Sequence, residues 1–389
     1  MNADEKYNLI RYFKTNFKYE PSYFACAPGR VELLGNHTDH QGGKVLASSV
    51  NLYARAAFNL NQSNIINIIS KGFSTITIDL ESFDGYHHEN EYGTSLSLVR
   101  GIVNEFLKSY PIRGFDAYIE TSISPGSGLS SSAAFEVLIG RILNILFADN
   151  KVSAIDIAKI GQISENLFFG KPSGLMDQMA SSVGGIVYID FANKENPDVL
   201  KLDFDFKNAG YVLCIIDSKS SHENLTGEYS SIPKEMRLVA NSFGKDVLSE
   251  LTFKEVFEDG KEILSSIEKD FGPRPALRTL HYFEEIERVE KSVLALKEGD
   301  IKPFLKAVNE SGSSSFNKLQ NILPSSMKEN TAYFDAYTYA KDTLNKITTE
   351  GAIRINGGGF AGTLLAVVPL KNLDEFSSEI SKKYPITIL

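Results

Sequence analysis

The stretch that most constrains this chain is Ser124-Pro-Gly-Ser-Gly-Leu-Ser-Ser-Ser-Ala-Ala134 together with what flanks it. Before it, Phe115, Ala117, Ile119 and, less cleanly, Ile123 mark one buried face of a strand over 114–123. After it, Phe135, Val137, Leu138, Ile142, Leu143 and Leu146 recur at helical spacing, which predicts a helix beginning near Ser131. A strand, a Gly/Ser loop and a helix start follow in that order. Gly126 and Gly128 let backbone amides come close to a ligand. The first amides of a helix lack intrahelical acceptors and sit at its positive end, which suits an anion, phosphate above all. An ordinary serine-capped helix after a flexible turn is the plainer reading. Two glycines followed by Ser130, Ser131 and Ser132 exceed what a cap needs, which favours phosphate.

The other unusual polar stretch is Arg30-Val-Glu-Leu-Leu-Gly-Asn-His-Thr-Asp-His-Gln-Gly-Gly43, set between two strand-like segments. Polar residues and glycine dominate turns, so a solvated hairpin is one reading. Zinc through His37, Asp39 and His40 is another, but the spacing offers neither a clear fourth ligand nor a helical His-x3-His pair. A third is a clamp for a polyhydroxyl ligand, which needs short donors and acceptors on a rigid backbone.

The 389 residues exceed one typical core, which predicts two domains, 1–205 and 206–389, divided near a polar, Pro-containing stretch at 193–205. A formal net charge of −9 argues against nucleic acid or a polybasic membrane contact. Cys26 and Cys214 are the only cysteines and read as buried thiols of a reducing compartment. The opening residues Met1-Asn-Ala-Asp-Glu-Lys6 hold no apolar signal core, and no run approaches the length of a membrane span. A cytoplasmic monomer is the expectation. Helices are predicted at 5–18, 95–107, 131–147, 154–168, 174–180, 253–270, 276–297 and 301–319. Strands are predicted at 22–27, 54–59, 65–70, 75–80, 185–190, 210–216, 352–355 and 363–368.

Two nucleotide motifs fail. No Gly-Lys pair is followed by Ser or Thr, so there is no Walker loop. Gly357, Gly359 and Gly362 satisfy G-x-G-x-x-G, but a strand rather than a helix is predicted after them. Taken together, the blocks resemble the GHMP kinases and, within them, the galactokinases. The run 125–134 is similar to that family's phosphate loop, and Gly357-Gly-Gly-Phe-Ala-Gly362 to its C-terminal Gly-rich motif. Gly29-Arg-Val-Glu-Leu-Leu-Gly-Asn-His-Thr-Asp-His-Gln-Gly-Gly43 is similar to the galactokinase signature, most often GRVNLIGEHTDYNGG. Gly174-Leu-Met-Asp-Gln178 is similar to the catalytic GIMDQ segment.

The resemblance implies an α+β, two-domain fold of mixed sheets and helices, with the active site in the cleft between the domains. It implies ATP and Mg2+ as cofactors and a sugar as the partner molecule. Asp177 corresponds to the catalytic base and Arg30 to the cation beside it. Ser132 and Glu165 correspond to magnesium ligands. Gly126, Ser127, Gly128, Leu129, Ser130, Ser131 and Ser132 correspond to the ATP loop. Asn36, His37, Thr38, Asp39, Gly174 and Tyr229 correspond to sugar-site positions. The chemistry agrees with these residue types, because a sugar C1 hydroxyl becomes a useful nucleophile when a carboxylate takes its proton.

The chain also departs from the pattern. Asn36 stands where galactokinases usually carry Glu, Glu32 replaces Asn, His40-Gln41 replaces Tyr-Asn, and Ala47 replaces Pro. Asn36 removes a like-charge penalty against a carboxylate at C6, and Asp-His-Gln-Gly-Gly also resembles plant galacturonate kinases. Galactose is the expected substrate and galacturonate the alternative. A sugar and ATP sensor without turnover is a third reading, opposed by the presence of Asp177, Arg30 and the serine run.

Overall fold

The computed structural model describes residues 1–389 apart from 125, 172, 194, 221–224 and 325–330, and apart from the side chain of 226. Pro125 of the Gly/Ser loop and Pro172 before Ser173 therefore lie outside the described residues. By packing, the chain forms two compact units, Met1–Arg30 with Ser49–Gly184, and Val31–Ser48 with Gly185–Leu389. The sequence reading drew one line near 205. Packing instead groups 31–48 and 185–205 with the later residues.

Both long N-terminal strands, β1 (Tyr23–Leu34) and β2 (Lys44–Leu60), pass from one unit to the other, and they pair with each other. In the first unit β2 pairs antiparallel with a later strand (Phe115–Thr121), which pairs in parallel with β3 (Ile65–Ser70). β3 in turn pairs antiparallel with β4 (Ile76–Asp79), and the Phe115–Thr121 strand is β5. The helices of this unit are α1 (Ala3–Phe17), α2 (Ser95–Leu107), α3 (Ser131–Phe147), α4 (Ala154–Ile163) and α5 (Met176–Val183). Leu9 and Phe13 bury one side of α1 against Ala57 and Tyr118. Asn2 caps α1 in a reciprocal box with Glu5.

In the second unit the first part of β2 pairs with β6 (Ile186–Asp190), and β6 with β7 (Asp198–Leu202). A four-stranded antiparallel sheet follows the order β11-β8-β10-β9, where β8 is Tyr211–Asp217, β9 Ala352–Asn356, β10 Thr363–Pro369 and β11 Ile386–Ile388. Its helices are α6 (Thr226–Ser242), α7 (Lys261–Phe271), α8 (Arg274–Lys297), α9 (Ile301–Ser314), α10 (Ala332–Ile347) and α11 (Leu373–Ser381). Ile353, Ile355, Leu364, Ala366 and Val368 of the sheet bury against Tyr333, Ala336, Ala340 and Leu344 of α10.

Several elements differ from the sequence reading. The first strand does not stop at Pro28-Gly29 but continues to Leu34, carrying Arg30 and Glu32 within a strand whose Val31, Leu33 and Leu34 are buried. Its described ladder partner is β2, so the missing N–H of Pro28 can face away from a ladder. The predicted helix 154–168 ends at Ile163 and closes in a π-helical turn, Ser164–Phe168. The helix predicted over 301–319 likewise ends at Ser314 before a π-helical turn, Ser315–Leu319. A helix absent from the sequence reading, Thr226–Ser242, carries Pro233 inside it. Tyr229, expected at the sugar site, sits near the start of α6.

Candidate active site

The Gly/Ser loop leads into α3 through two left-handed glycines, Gly126 (φ 76°) and Gly128 (φ 69°). Ser130 follows with φ 55°, a conformation non-glycine residues seldom adopt. That twist turns Ser130 away from capping. It makes no side-chain cap, and its Oγ donates instead to Asp177 Oδ2 at 2.8 Å. Ser131 and Ser132 open α3, half-buried, where the helix amides lack intrahelical acceptors. Leu129 is buried, and its carbonyl accepts the Arg30 amide at 2.9 Å. The Ser127 hydroxyl is buried without a hydrogen-bond partner among the described residues. Such a group fits a site whose ligand supplies the acceptor.

Arg30 enters from β1 and forks onto Asp177. Its Nε donates to Oδ1 at 2.7 Å and its Nη2 to Oδ2 at 2.5 Å, while Nη1 donates to the Gly128 carbonyl at 2.7 Å. Burial pushes the Asp177 carboxyl up, but the Arg30 charge and the hydrogen bonds from Arg30 and Ser130 outweigh it. The carboxyl is held below its ordinary range. Asp177 stays 30% exposed, and three of the roughly four lone-pair positions of a carboxylate are taken. An ionised carboxylate with one free position facing outward can accept a proton from a bound hydroxyl.

Glu165 sits on the π-helical turn, 3% exposed. Its Oε1 accepts from the Lys171 ammonium at 3.0 Å, and its Oε2 from Ser173 Oγ at 2.6 Å and Gln178 Nε2 at 2.8 Å. The Gln178 amide also donates to Glu136 Oε2 at 2.9 Å. Burial, and then the charge of Glu165, push the Glu136 carboxyl well up. Among the described residues no hydrogen bond joins Ser132 to Glu165, and Gly174 is half-buried just before α5.

The polar stretch after β1 belongs to the second unit and is braced from within it. The Gly35 amide donates to Glu285 Oε1 of α8 at 3.0 Å, and Arg288 Nε holds Oε2 at 2.8 Å. Burial pushes Glu285 up, but Arg288, His281 and Arg354 bring it down to about 2. Asn36 is fully buried with its amide in use: Nδ2 donates to Glu32 Oε1 at 3.0 Å and to the Gly357 carbonyl at 2.7 Å, and Oδ1 accepts from Asn321 Nδ2 at 2.9 Å. Thr38 is also fully buried, its hydroxyl donating to the Gly35 and Lys44 carbonyls. The glycine motif at 357–362 thus serves as a backbone brace, and β10 follows it directly.

His37 adopts φ 58°, with Nε2 2.9 Å from the Gly358 carbonyl and Nδ1 3.3 Å from His40 Nε2. A carbonyl accepts only, so Nε2 carries the proton and Nδ1 accepts from His40. Burial brings His37 down to about 4, so the ring is neutral near pH 7. The Tyr229 ring, 49% exposed, lies 5.2 Å from the His37 ring. Asp39 and His40 are half-buried in the short turn Asp39–Gln41.

The first unit therefore brings Arg30, Gly128, Ser130 and Asp177 together, and separately groups Glu165 with Lys171, Ser173, Gln178 and Glu136. The second brings His37, His40, Tyr229 and Gly358 together. Asn36 and Thr38, expected at the sugar, are instead buried with their polar groups bonded to protein. Sequence reasoning passed over Lys171, Gln178, Glu136, Asn321 and Glu285. Lys171 and Gln178 flank Asp177 in the sequence. Glu136 is a lone carboxyl on an otherwise apolar helix face, a signal that was there to read.

Residues 97–185 match the GHMP kinases N terminal domain and residues 11–60 the galactokinase galactose-binding signature. Over 386 residues the chain is 30% identical to a galactokinase of Clostridium perfringens, covering 96% of this chain and 92% of that one. In structure it is similar to Lactococcus lactis galactokinase complexed with galactose, with a TM-score of 0.81 at 21% identity over 99% of this chain and 97% of the other. It is also similar to the mevalonate kinase of Methanococcus jannaschii, with a TM-score of 0.64 at 16% identity over 94% and 97% of the two chains. Among the described residues no helix is long and apolar enough to cross a membrane.

Proposed function

The chain belongs to the galactokinase family of the GHMP kinases, and on that premise we propose that it transfers the γ-phosphoryl group of ATP to the 1-hydroxyl of D-galactose. The observation that carries this reading is the Arg30 fork on Asp177, with Ser130 at the end of the Gly/Ser loop as the third partner.

Asp177 receives the proton of the sugar's 1-hydroxyl. Arg30 makes it a weak base, which the reaction tolerates. Phosphoryl transfer passes through a loose transition state in which the nucleophile needs little activation, so the carboxylate orients the hydroxyl and takes its proton as the new O–P bond forms. Arg30, through its remaining charge, offsets charge building on the transferred group. The amides opening α3, together with Ser127, Ser131 and Ser132, cradle the phosphates, the Ser127 hydroxyl gaining the acceptor it lacks. Leu129 contributes backbone alone, since its side chain is buried.

Glu165 and Ser132 offer hard oxygen donors of the kind Mg2+ accepts alongside phosphate oxygens. Glu165 fits the task because its Oε1 is engaged by an exposed lysine that can leave. Glu165 and Ser132 would hold Mg2+ there, and the ion would supply positive charge against the phosphates.

For the sugar, we assign direct contacts to His37, Asp39 and Tyr229, with Gly174 leaving room beside Asp177. Asn36 and Thr38 shape the turn from beneath. The galacturonate alternative rested on Asn36 and on the Asp-His-Gln-Gly-Gly run; an Asn36 amide already bonded to Glu32, Gly357 and Asn321 gives it no support, and the relatives are galactokinases. A cytoplasmic setting suits the free thiols Cys26 and Cys214.

The test is ATP-dependent phosphorylation across galactose, galacturonate, N-acetylgalactosamine and glucose. Galactose is expected to give the highest kcat/KM. A higher value for galacturonate would overturn the substrate assignment, and no turnover with any of the four would return the protein to a sensing role.

A further inference from the structure

Six residues before Asp177, Lys171 places an ammonium group that the mechanism above leaves without a task. Its side chain is 61% exposed, yet Nζ reaches 3.0 Å from Oε1 of Glu165, a side chain only 4% exposed. The Lys171 amide also donates to the Glu165 carbonyl at 3.1 Å, which fixes the base of the side chain beside the carboxylate. Exposed ion pairs contribute little, about 0–1 kcal/mol. Here the acceptor is buried, its other oxygen is taken by two neutral donors, and among the described residues Lys171 brings the opposite charge that burial demands.

A divalent cation on Oε1 and an ammonium 3 Å from the same atom repel each other, so the lysine must leave when such an ion arrives. Its four-carbon stem allows the move. The event that displaces it also delivers triphosphate oxygens, the nearest new negative charge.

We propose that Lys171 is a catalytic residue that changes partner during turnover, neutralising Glu165 in the free protein and contacting a terminal phosphate oxygen of bound ATP once a divalent cation holds Glu165. The contact rests on reading the first unit as the phosphoryl-transfer half with Glu165 as a metal ligand. No proton moves in the exchange. The ammonium keeps all three of its hydrogens and replaces a carboxylate acceptor with a phosphate one. On the terminal phosphate it adds a fixed positive charge where negative charge spreads during transfer.

The experiment compares Lys171→Gln and Lys171→Arg with the unaltered protein. It measures kcat, calorimetric binding of a non-hydrolysable Mg·ATP analogue, of AMP and of galactose, and the thermal midpoint. Losing a hydrogen bond to a charged group corresponds to about a 10- to 100-fold effect. Lys171→Gln is expected to lower kcat and weaken the ATP analogue by about that factor, with AMP and galactose binding unchanged and Lys171→Arg recovering part of the loss. Equal weakening of AMP and the ATP analogue would overturn the terminal-phosphate contact, as would an analogue affinity and kcat within about twofold of the unaltered protein. A fall in galactose affinity with a lowered midpoint would show a purely structural role and overturn it too. Because the nucleotide readout does not need turnover, it stands apart from the assignment of Asp177 as base.

Discussion

Arg30 holds Asp177 at both ends of its carboxylate, Nε on Oδ1 and Nη2 on Oδ2, so the pair behaves as one rigid plane with a single face left for a third group. The Ser130 hydroxyl on Oδ2 narrows that face further. Asp177→Asn keeps the shape and removes the proton acceptor. It is expected to lower kcat by about 10²- to 10⁴-fold, while nucleotide binding, followed by calorimetry, survives. Activity within tenfold of the unaltered protein would remove Asp177 from the base role.

The same pair is expected to set the acid limit of activity. An unperturbed aspartate titrates near pH 3.9, and Asp177 is held below its ordinary value. Lowering the pH past the ordinary value therefore leaves it ionised, and activity falls only as the pH drops through the depressed value. In Arg30→Gln the upward push of burial is offset only by Ser130 and the Lys171 charge, and the acid limb of kcat/KM is expected to move to higher pH. A pH–rate profile on both proteins checks this, and an unmoved limb would mean that another group controls it.

Glu285 governs the turn at Gly35 by stability rather than by chemistry. Its carboxyl lies at about 2 in the folded protein against a reference of 4.5. A group depressed on folding contributes stability that is fully present above the reference value and is lost as pH falls toward about 2. Glu285→Gln leaves Arg288 without its buried partner. It is expected to cost on the order of 3 kcal/mol at pH 7, and to flatten the acid dependence of stability. Urea unfolding at pH 7 and pH 4 measures both. The KM for galactose should rise more than the KM for ATP, because the released turn carries His37 and Asp39.

Asn36→Asp tests the buried amide. The change replaces a donor with a second acceptor against Glu32 Oε1 and the Gly357 carbonyl, at 3.0 and 2.7 Å. An unsatisfied, like-charged contact in a buried site is expected to destabilise by about 2–4 kcal/mol. If Asn36 faced the sugar instead, stability would hold and only the order of preference among sugars would change. Thermal unfolding alongside the four-sugar assay separates the two.

Gly359→Ala addresses the brace itself. A methyl at Gly359 would lie 2.3 Å from the Asn321 carbonyl oxygen, in a backbone with φ +82°. Neither the carbonyl nor the dihedral yields cheaply. Loss of stability by about 1–3 kcal/mol is expected, with galactose KM raised and nucleotide binding unchanged. An unchanged galactose KM would dissociate the glycine motif from the turn.

The parts of the site legible in the sequence are those where chemistry sits in short, contiguous runs. The Gly/Ser loop, the Asp177 segment and the stretch from Arg30 announced themselves because glycine, hydroxyl and charge cluster there. Asp177 and Arg30 do meet, although 147 residues separate them. What the runs could not convey was which way each side chain turns. Asn36 and Thr38 look like ligand contacts in a polar stretch, but the alternation of β1 and the tight turn after it direct them inward. Ser130 looks like a cap until its left-handed φ redirects the hydroxyl to Asp177. Glu285 and Asn321 escape any local reading, since their partners lie 250 and 285 residues earlier. Strand lengths were short by the same logic. Arg30 and Glu32 interrupt an apolar pattern, and only their partners show why a strand can carry them.

The passage of β1 and β2 between the units bears on how this protein could ever be taken apart. The chain changes unit after Arg30, after Ser48 and after Gly184, so neither unit is a contiguous segment and no single cut liberates one. Arg30 ends one piece and Glu32 lies in the next, on the same strand. Gene fusion or recombination that joined one relative's front half to another's back half would pair the turn after β1 with a Glu285 and Asn321 from a different chain. Exchange of one unit for another would therefore need several joins at once, whereas a substitution in place needs none.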